Sequence, residues 1–183
     1  MEQIMLPIKY QWLELEPSPR ILTEFIKVYG VQEKLGPSDN PTILGWAKSI
    51  GLQGAYIHDA TPWCGLTMAY VAAQAGWDHA PKGNALWALN WLAWGNPVAK
   101  GQEMLGDVLA FKRPGGGHVG IYVGEDPNAF HVMGGNVDDQ VKIKRIDRAR
   151  CQGARRCPWR VNQPKNVRKI ILSSNGQIST NEQ

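Results

Sequence analysis

The sequence lacks any apolar run that approaches the roughly 18 residues of a membrane span. Its first twenty residues, which close with Glu-Pro-Ser-Pro-Arg, also lack the basic segment and apolar stretch of a secretion signal. These absences predict a soluble protein that is made in the cytoplasm and has no membrane span. Any action outside the cell is then expected to follow release or delivery by other machinery.

Cysteine is scarce, with three residues in 183, and an odd number leaves at least one thiol free. Cys64 stands alone, whereas Cys151 and Cys157 are near neighbours, for which reduced thiols are favoured over a disulfide. The cysteines and histidines show no close pairing such as C-x-x-C or H-x-x-x-H, the spacing that zinc sites use. We therefore expect no metal and no cofactor.

Acidic residues are nearly missing from residues 142–169, which contain eleven basic residues and one acidic residue, Asp147. Such a surface attracts polyanions, and anionic envelope polymers are the partner it favours, with no stable nucleic-acid complex expected. An equally favoured interpretation is that this basic face contacts only solvent and binds no polyanion. The eleven residues are Lys142, Lys144, Arg145, Arg148, Arg150, Arg155, Arg156, Arg160, Lys165, Arg168 and Lys169.

The first half of the chain reads as helical. Apolar residues at helical spacing predict a helix over 20–30, and Asn40 ahead of a proline predicts the start of a helix over 41–50. A third helix is predicted to begin near Cys64 and to end at Gly76.

After Gly101 the pattern changes to short apolar or alternating runs, which predict strands over 106–111, 118–124, 129–133 and 140–146. Helices followed by strands predict an α+β fold, with N-terminal helices packed on one face of a small antiparallel sheet. We expect one domain over residues 1–165, a polar and flexible tail over 166–183, and a monomer.

Tryptophan is abundant for a chain of this size, with eight residues. Trp87, Trp91 and Trp94 are spaced by four and three, so a helix over 84–94 would carry them on one stripe. Core packing is the favoured interpretation of that stripe. The alternative is that Trp63, Trp87 and Trp91 line a substrate groove.

Cys64 and His118 form a candidate nucleophile and general base. A helix N-terminus and a nearby imidazolium both favour the reactive thiolate, and His118 opens a predicted strand after a glycine-rich turn. A third polar side chain is needed to orient the imidazole. Asn136 is favoured for that role and His131 is kept as the alternative.

An attacked carbonyl develops negative charge on its oxygen, which backbone N–H groups stabilise well. The backbone N–H of Cys64 is the first candidate donor. Tyr56 and His58, just upstream, are candidates for the second.

Three ordered motifs carry a resemblance: Pro62-Trp63-Cys64-Gly65, the run over 106–111, and the run over 117–124 that contains His118. Together they resemble the motifs of the NlpC-like and CHAP cysteine peptidase and amidase superfamily. The segment 131–136 is similar to a phage- and prophage-associated branch. The likeness covers roughly residues 10–160.

This resemblance implies a papain-like fold and hydrolysis of an amide bond in or next to the peptide stem of peptidoglycan, by an endolysin-like enzyme or a wall-targeting effector. The roles of nucleophile, base and third residue would fall on Cys64, His118 and either Asn136 or His131. The alternative function is a non-catalytic module of the same fold, an envelope- or nucleic-acid-binding part or a virion component.

Overall fold

Helices fill the first part of the chain and strands the second in the computed structural model, which describes residues 5–77, 81, 83–159 and 162–182. The α-helices are α1 (Trp12–Leu15), α2 (Arg20–Lys27), α3 (Pro41–Ser49) and α4 (Cys64–Gln74). Single 3₁₀ turns or short 3₁₀ helices cover Ile8–Tyr10, Ala88–Ala93 and Arg148–Arg150. The fold is mixed α+β, as predicted.

The strands are β1 (Asn96–Val98), β2 (Val108–Arg113), β3 (Gly116–Glu125), β4 (Ala129–Val137), β5 (Gln140–Asp147), β6 (Cys151–Arg156) and β7 (Ile178–Ser179). They form one seven-stranded sheet in the order β1-β6-β2-β3-β4-β5-β7. Neighbouring strands are antiparallel except β5 and β7, which run parallel. The sheet is therefore larger than predicted, and one of its edges is not antiparallel.

Local signals explain the helix ends. The side chain of Asn40 accepts a hydrogen bond from the backbone N–H of Thr42 at 2.8 Å, which caps α3 at its start, and Pro41 occupies the first helical position. Gly76, with a φ of 80°, follows the end of α4 in the left-handed conformation that glycine adopts without strain.

The core lies between α4 and the sheet. Most of α4 is buried, including Cys64, Leu66, Met68 and Val71, and the helix packs on β3 and β4. A side chain at Gly135 of β4 would collide with Thr67 of α4. The helix that begins with Cys64 thus lies close against the strands that follow His118.

Two parts differ from the sequence-based expectation. The predicted helix over 84–94 is a 3₁₀ helix over Ala88–Ala93, and the segment predicted as a loose tail contains β7 and the buried residue Glu182. No helix in the described ranges has the length and apolar character needed to span a bilayer.

Candidate functional site

Cys64 is the first residue of α4, and its side chain is covered, with 4% of the residue exposed. Burial raises the pKa of its thiol, because a thiolate is costly to place away from water. Backbone hydrogen bonding from Val119, Gly65 and Cys64 itself, together with the charge of Arg113, acts in the opposite direction. The effect of burial is the largest, so the Cys64 thiol is protonated at pH 7.

Val119 comes from β3 and directly follows His118. Helix α4 packs on β3 and β4. On β4, a Cβ at Gly134 would meet the ring of His118, and a Cβ at the next residue, Gly135, would meet Thr67 in the first turn of α4. The start of α4 and the ring of His118 thus lie against neighbouring residues of β4.

His118 is 1% exposed, and its Nε2 has no hydrogen-bond partner within the described ranges. Burial lowers the pKa of this imidazole to about 4, with Arg113 and Arg150 acting in the same direction and the carboxylate of Glu182 opposing them. The ring is consequently neutral at pH 7. A neutral imidazole is the form that accepts a proton from a thiol.

Gly134 of β4 makes room for this imidazole. A Cβ placed on Gly134 would lie 2.6 Å from Nε2 and 2.9 Å from Cε1 of His118, both closer than real Cβ contacts. The ring of His118 therefore fills the space that a side chain at position 134 would need.

Asn136 lies on the strand next to His118. The pairing of β3 with β4 begins at Ile121 and Met133, and Asn136 lies in the irregular stretch of β4 between Gly134 and Val137. Asn136 is buried and has a φ of 56°, a left-handed conformation that asparagine tolerates better than most residues.

His131, the alternative third residue, is engaged elsewhere. Its Nδ1 lies 2.7 Å from the hydroxyl of Tyr10 and its Nε2 lies 2.8 Å from Asp126. Arg145 also donates from Nε to Asp126 at 2.8 Å. Burial lowers the pKa of His131, and both ring nitrogens serve a network that ties the N-terminal part of the chain to the sheet.

The two side chains considered as oxyanion donors lie in different settings. The hydroxyl of Tyr56 is buried and donates to the carbonyl oxygen of Thr61 at 2.9 Å, so its proton is already used. His58 is exposed and lies 3.3 Å from Asp39. The amide of Val119 is the group beside the thiol that the sequence did not reveal, because its position depends on how β3 packs on α4.

Trp63 and Trp91, considered as groove residues, are fully buried. The indole N–H of Trp63 donates to Glu33 at 3.3 Å, and that of Trp91 donates to the carbonyl oxygen of Ala85 at 2.9 Å. Both rings therefore belong to the core and do not line an open groove, and for Trp91 this is the interpretation favoured for the tryptophan stripe. Trp87 is 60% exposed.

The basic residues of the last third are mostly paired. Eight of the eleven form ion pairs with six acids, since Asp138 and Glu125 each pair with two cations, and Arg160 lies outside the described residues. The eight are Lys142, Lys144, Arg145, Arg148, Arg150, Arg156, Arg168 and Lys169.

Cys64, Cys151 and Cys157 are free thiols. The described ranges hold no group of three or more His, Cys, Asp or Glu side chains arranged to bind a metal ion.

No protein-family model matches the chain, and a search of curated proteins finds no relative.

Proposed function

We propose that this protein is a cysteine hydrolase of papain-like fold that cuts an amide bond in or next to the peptide stem of peptidoglycan. The observation that supports it best is on β4, where Gly134 leaves room for the ring of His118 and the adjacent Gly135 lies against Thr67 in the first turn of α4, the helix that begins with Cys64. A nucleophile at a helix start beside a strand-borne imidazole is the arrangement that thiol-based acyl transfer requires.

In the proposed reaction, His118 takes the thiol proton while the sulfur of Cys64 attacks the amide carbonyl carbon. The imidazolium then gives that proton to the leaving amine, and water hydrolyses the thioester to release the acid and restore the thiol. The amides of Cys64 and Val119 are the proposed donors to the carbonyl oxygen. Asn136 is proposed to hold the imidazole.

The closed site favours the unreactive pair of thiol and neutral imidazole. Burial raises the pKa of Cys64 and lowers that of His118 to about 4, so proton transfer between them is unfavourable until the site opens. Water or substrate entering beside the pair moves both pKa values toward their ordinary ranges. Opening is therefore part of the proposed mechanism.

The second candidate is a non-catalytic module of the same fold that binds envelope polymers or nucleic acid. The near-complete burial of Cys64 and His118 favours it, because a buried cysteine is often only a small apolar side chain. The ion pairing of eight of the eleven basic residues disfavours it, since paired cations attract a polyanion less.

Purified cell walls separate the two functions. We expect the wild type to clear a wall suspension and Cys64→Ala to leave it intact, with Cys157→Ala, at a buried cysteine away from α4, as the matched control. Mass spectrometry of the released muropeptides identifies the bond that is cut. Equal behaviour of wild type and Cys64→Ala would reject the enzyme and leave the binding module.

The wall would be reached after release or delivery of the protein from the cell in which it is made. A phage lysin and a bacterial effector both fit that route.

A further inference from the structure

The segment Ile178–Glu182 reaches the region of His118 through one side chain. Glu182 is buried, with 1% of the residue exposed, whereas Ile178, Thr180 and Asn181 are exposed. The strand in this segment pairs with β5 over only two residues. One carboxylate of this polar segment is therefore buried, while most of the other residues of the segment are exposed to solvent.

Arg150 holds that carboxylate with both arms of its guanidinium. Nη1 and Nη2 donate to the two oxygens of Glu182 at 2.7 and 2.6 Å, the two-pronged geometry in which arginine binds carboxylates best. The Nε of Arg150 also donates to the carbonyl oxygen of Lys112 at 3.1 Å.

Arg113 is a second anchor. Its Nε donates to the carbonyl oxygen of Gly117 at 3.1 Å, and its Nη1 lies 3.4 Å from the side-chain oxygen of Asn181. Lys112 pairs with Gly117 in the β2–β3 hairpin. Both guanidinium groups are thus fixed to the end of the hairpin that carries His118, and both hold the segment there.

An open groove of about 700 Å³ runs along the same place. Three basic residues and one acidic residue, Asp147, line it together with the segment. Its lining residues include Lys112, Arg113, Arg150, Gln152 and Thr180.

We infer that Arg150 is a carboxylate-binding residue of the substrate groove beside His118, and that Glu182 occupies it in the closed molecule in place of a substrate carboxylate. The inference rests on the proposed function, and it assigns the substrate class as a peptide with a free carboxylate near the scissile amide. The same inference holds that departure of the segment frees Arg150 for that peptide and exposes Cys64 and His118, which have almost no exposed surface in the closed molecule.

When the segment is displaced, one carboxylate on Arg150 is replaced by another. The guanidinium of Arg150 passes from one carboxylate to another, while Glu182, once released, is hydrated. The carboxylate of Glu182 also acts on the imidazole of His118, which agrees with a position close to the reacting groups. Besides this ion pair and a two-residue strand pairing, the segment is held by hydrogen bonds from Arg150 to the carbonyl oxygen of Ser179 at 3.0 Å and from Arg113 to Asn181 at 3.4 Å.

Two alkylating reagents test the inference without reference to any wall substrate. Iodoacetate and iodoacetamide both form a bond from the cysteine sulfur to carbon as iodide leaves, and the thiol proton passes to the buffer. They differ in that iodoacetate carries a carboxylate. Peptide mapping by mass spectrometry measures the rate at Cys64 separately from the rates at Cys151 and Cys157.

We expect Glu182→Ala to raise the rate of Cys64 alkylation by roughly fivefold or more with both reagents, and Glu182→Gln to give a smaller rise because it keeps the shape but loses the charge. In the Glu182→Ala background, Arg150→Met should lower the ratio of the iodoacetate rate to the iodoacetamide rate by roughly tenfold. Removing Arg150 only where Glu182 is already gone avoids a buried carboxylate without a partner, and thermal unfolding of each variant verifies folding.

Glu16→Gln is the matched control, since Glu16 pairs with Arg168 at 3.1 Å in an ion pair that is much more exposed. It should leave both alkylation rates at the wild-type level. Equal rates in the wild type and Glu182→Ala would show that the segment is not a cover. A ratio of rates that does not respond to Arg150→Met would show that Arg150 does not bind carboxylates.

Wall hydrolysis distinguishes failure of this inference from failure of the proposed function. If alkylation follows the expected pattern but neither the wild type nor Glu182→Ala cleaves walls, the inference about the segment is supported and the proposed hydrolase function is rejected. If both proteins cleave walls at equal rates and alkylation is unchanged, the proposed hydrolase function is supported and the inference about the segment is rejected.

Discussion

The imidazole of His118 occupies the space beside Gly134 that a side chain there would fill, with its Nε2 2.6 Å from the position of a Cβ. Because Gly134 on β4 has no side chain, the ring of His118 on β3, the proposed base, has room to lie there. This arrangement leads to the first prediction.

Gly134→Ala should displace His118 and reduce wall hydrolysis by roughly 100-fold, because small misplacements of a reacting group are that costly. Overpacking should also lower the free energy of unfolding by about 1–3 kcal/mol. Hydrolysis rates and denaturant unfolding measure the two effects. Gly116→Ala is the control, because a Cβ at this position of β3 would have no atom within 4 Å. It should change neither the hydrolysis rate nor the free energy of unfolding by much. Wild-type activity in Gly134→Ala would contradict the prediction.

The role of the third residue is tested by Asn136→Gly. Glycine keeps the left-handed backbone conformation at this position, whose φ is 56°, and removes only the side chain. We expect hydrolysis to fall roughly tenfold or more while the protein remains folded.

His131→Ala should show the opposite pattern. It leaves Asp126 and Tyr10 without their imidazole partner, so stability should drop by roughly 1–3 kcal/mol while the folded fraction keeps its specific activity. Circular dichroism on melting and the hydrolysis assay, run side by side, separate the two residues. A loss of specific activity in His131→Ala with none in Asn136→Gly would reverse the assignment.

Stability should decrease as the pH falls from about 6.5 to about 4 because of His118. Above 6.5, the ordinary pKa, the imidazole is neutral in both the folded and the unfolded chain and contributes nothing. Below it, the unfolded chain binds a proton that the folded chain does not accept until about pH 4, which favours unfolding. The full difference corresponds to at most about 3 kcal/mol.

The pH effect is measured as the difference between wild type and His118→Asn in denaturant unfolding at pH 7, 6, 5 and 4.5. This subtraction removes the contribution of His131, whose pKa is also lowered. We expect the His118→Asn protein to lose less stability on acidification. Parallel curves for the two proteins would show that His118 is not a buried neutral imidazole.

Tyr10→Phe should lower the free energy of unfolding by about 1–3 kcal/mol, because it leaves Nδ1 of His131 buried without a partner. Tyr70→Phe is the control: the ring of Tyr70 stacks on Trp46 with centroids 5.2 Å apart, and its hydroxyl has no hydrogen bond among the described residues. That variant should stay within about 0.5 kcal/mol of wild type. Equal losses in the two variants would argue against the network.

The helices and central strands could be predicted because their signals are local. Asn40 and Pro41 mark the start of α3, Gly76 marks the end of α4, and the apolar runs around Val108 and Ile121 are continuous. β6 was missed because Gly153, Arg155 and Arg156 interrupt any apolar alternation. Its stability as a strand comes from β1 and β2 on either side.

The candidate site was predictable only as far as single residues reveal it. Cys64 stands at the start of α4, and His118 follows the glycine-rich turn that leads into β3, both of which the sequence shows. Gly134 and Val119 matter through strand register and packing, and the Arg150–Glu182 pair joins residues 32 positions apart. Contacts of this kind depend on the folded chain and have no local pattern.

The burial of Cys64 also bears on oxidation. Thiolates rather than thiols attack peroxides and disulfides, and this sulfur is both buried and held in its protonated form. A protein that has to cross an oxidising space before it acts would keep its sulfur reduced on the way. Sulfenic acid should therefore form at Cys64 only after the site has opened.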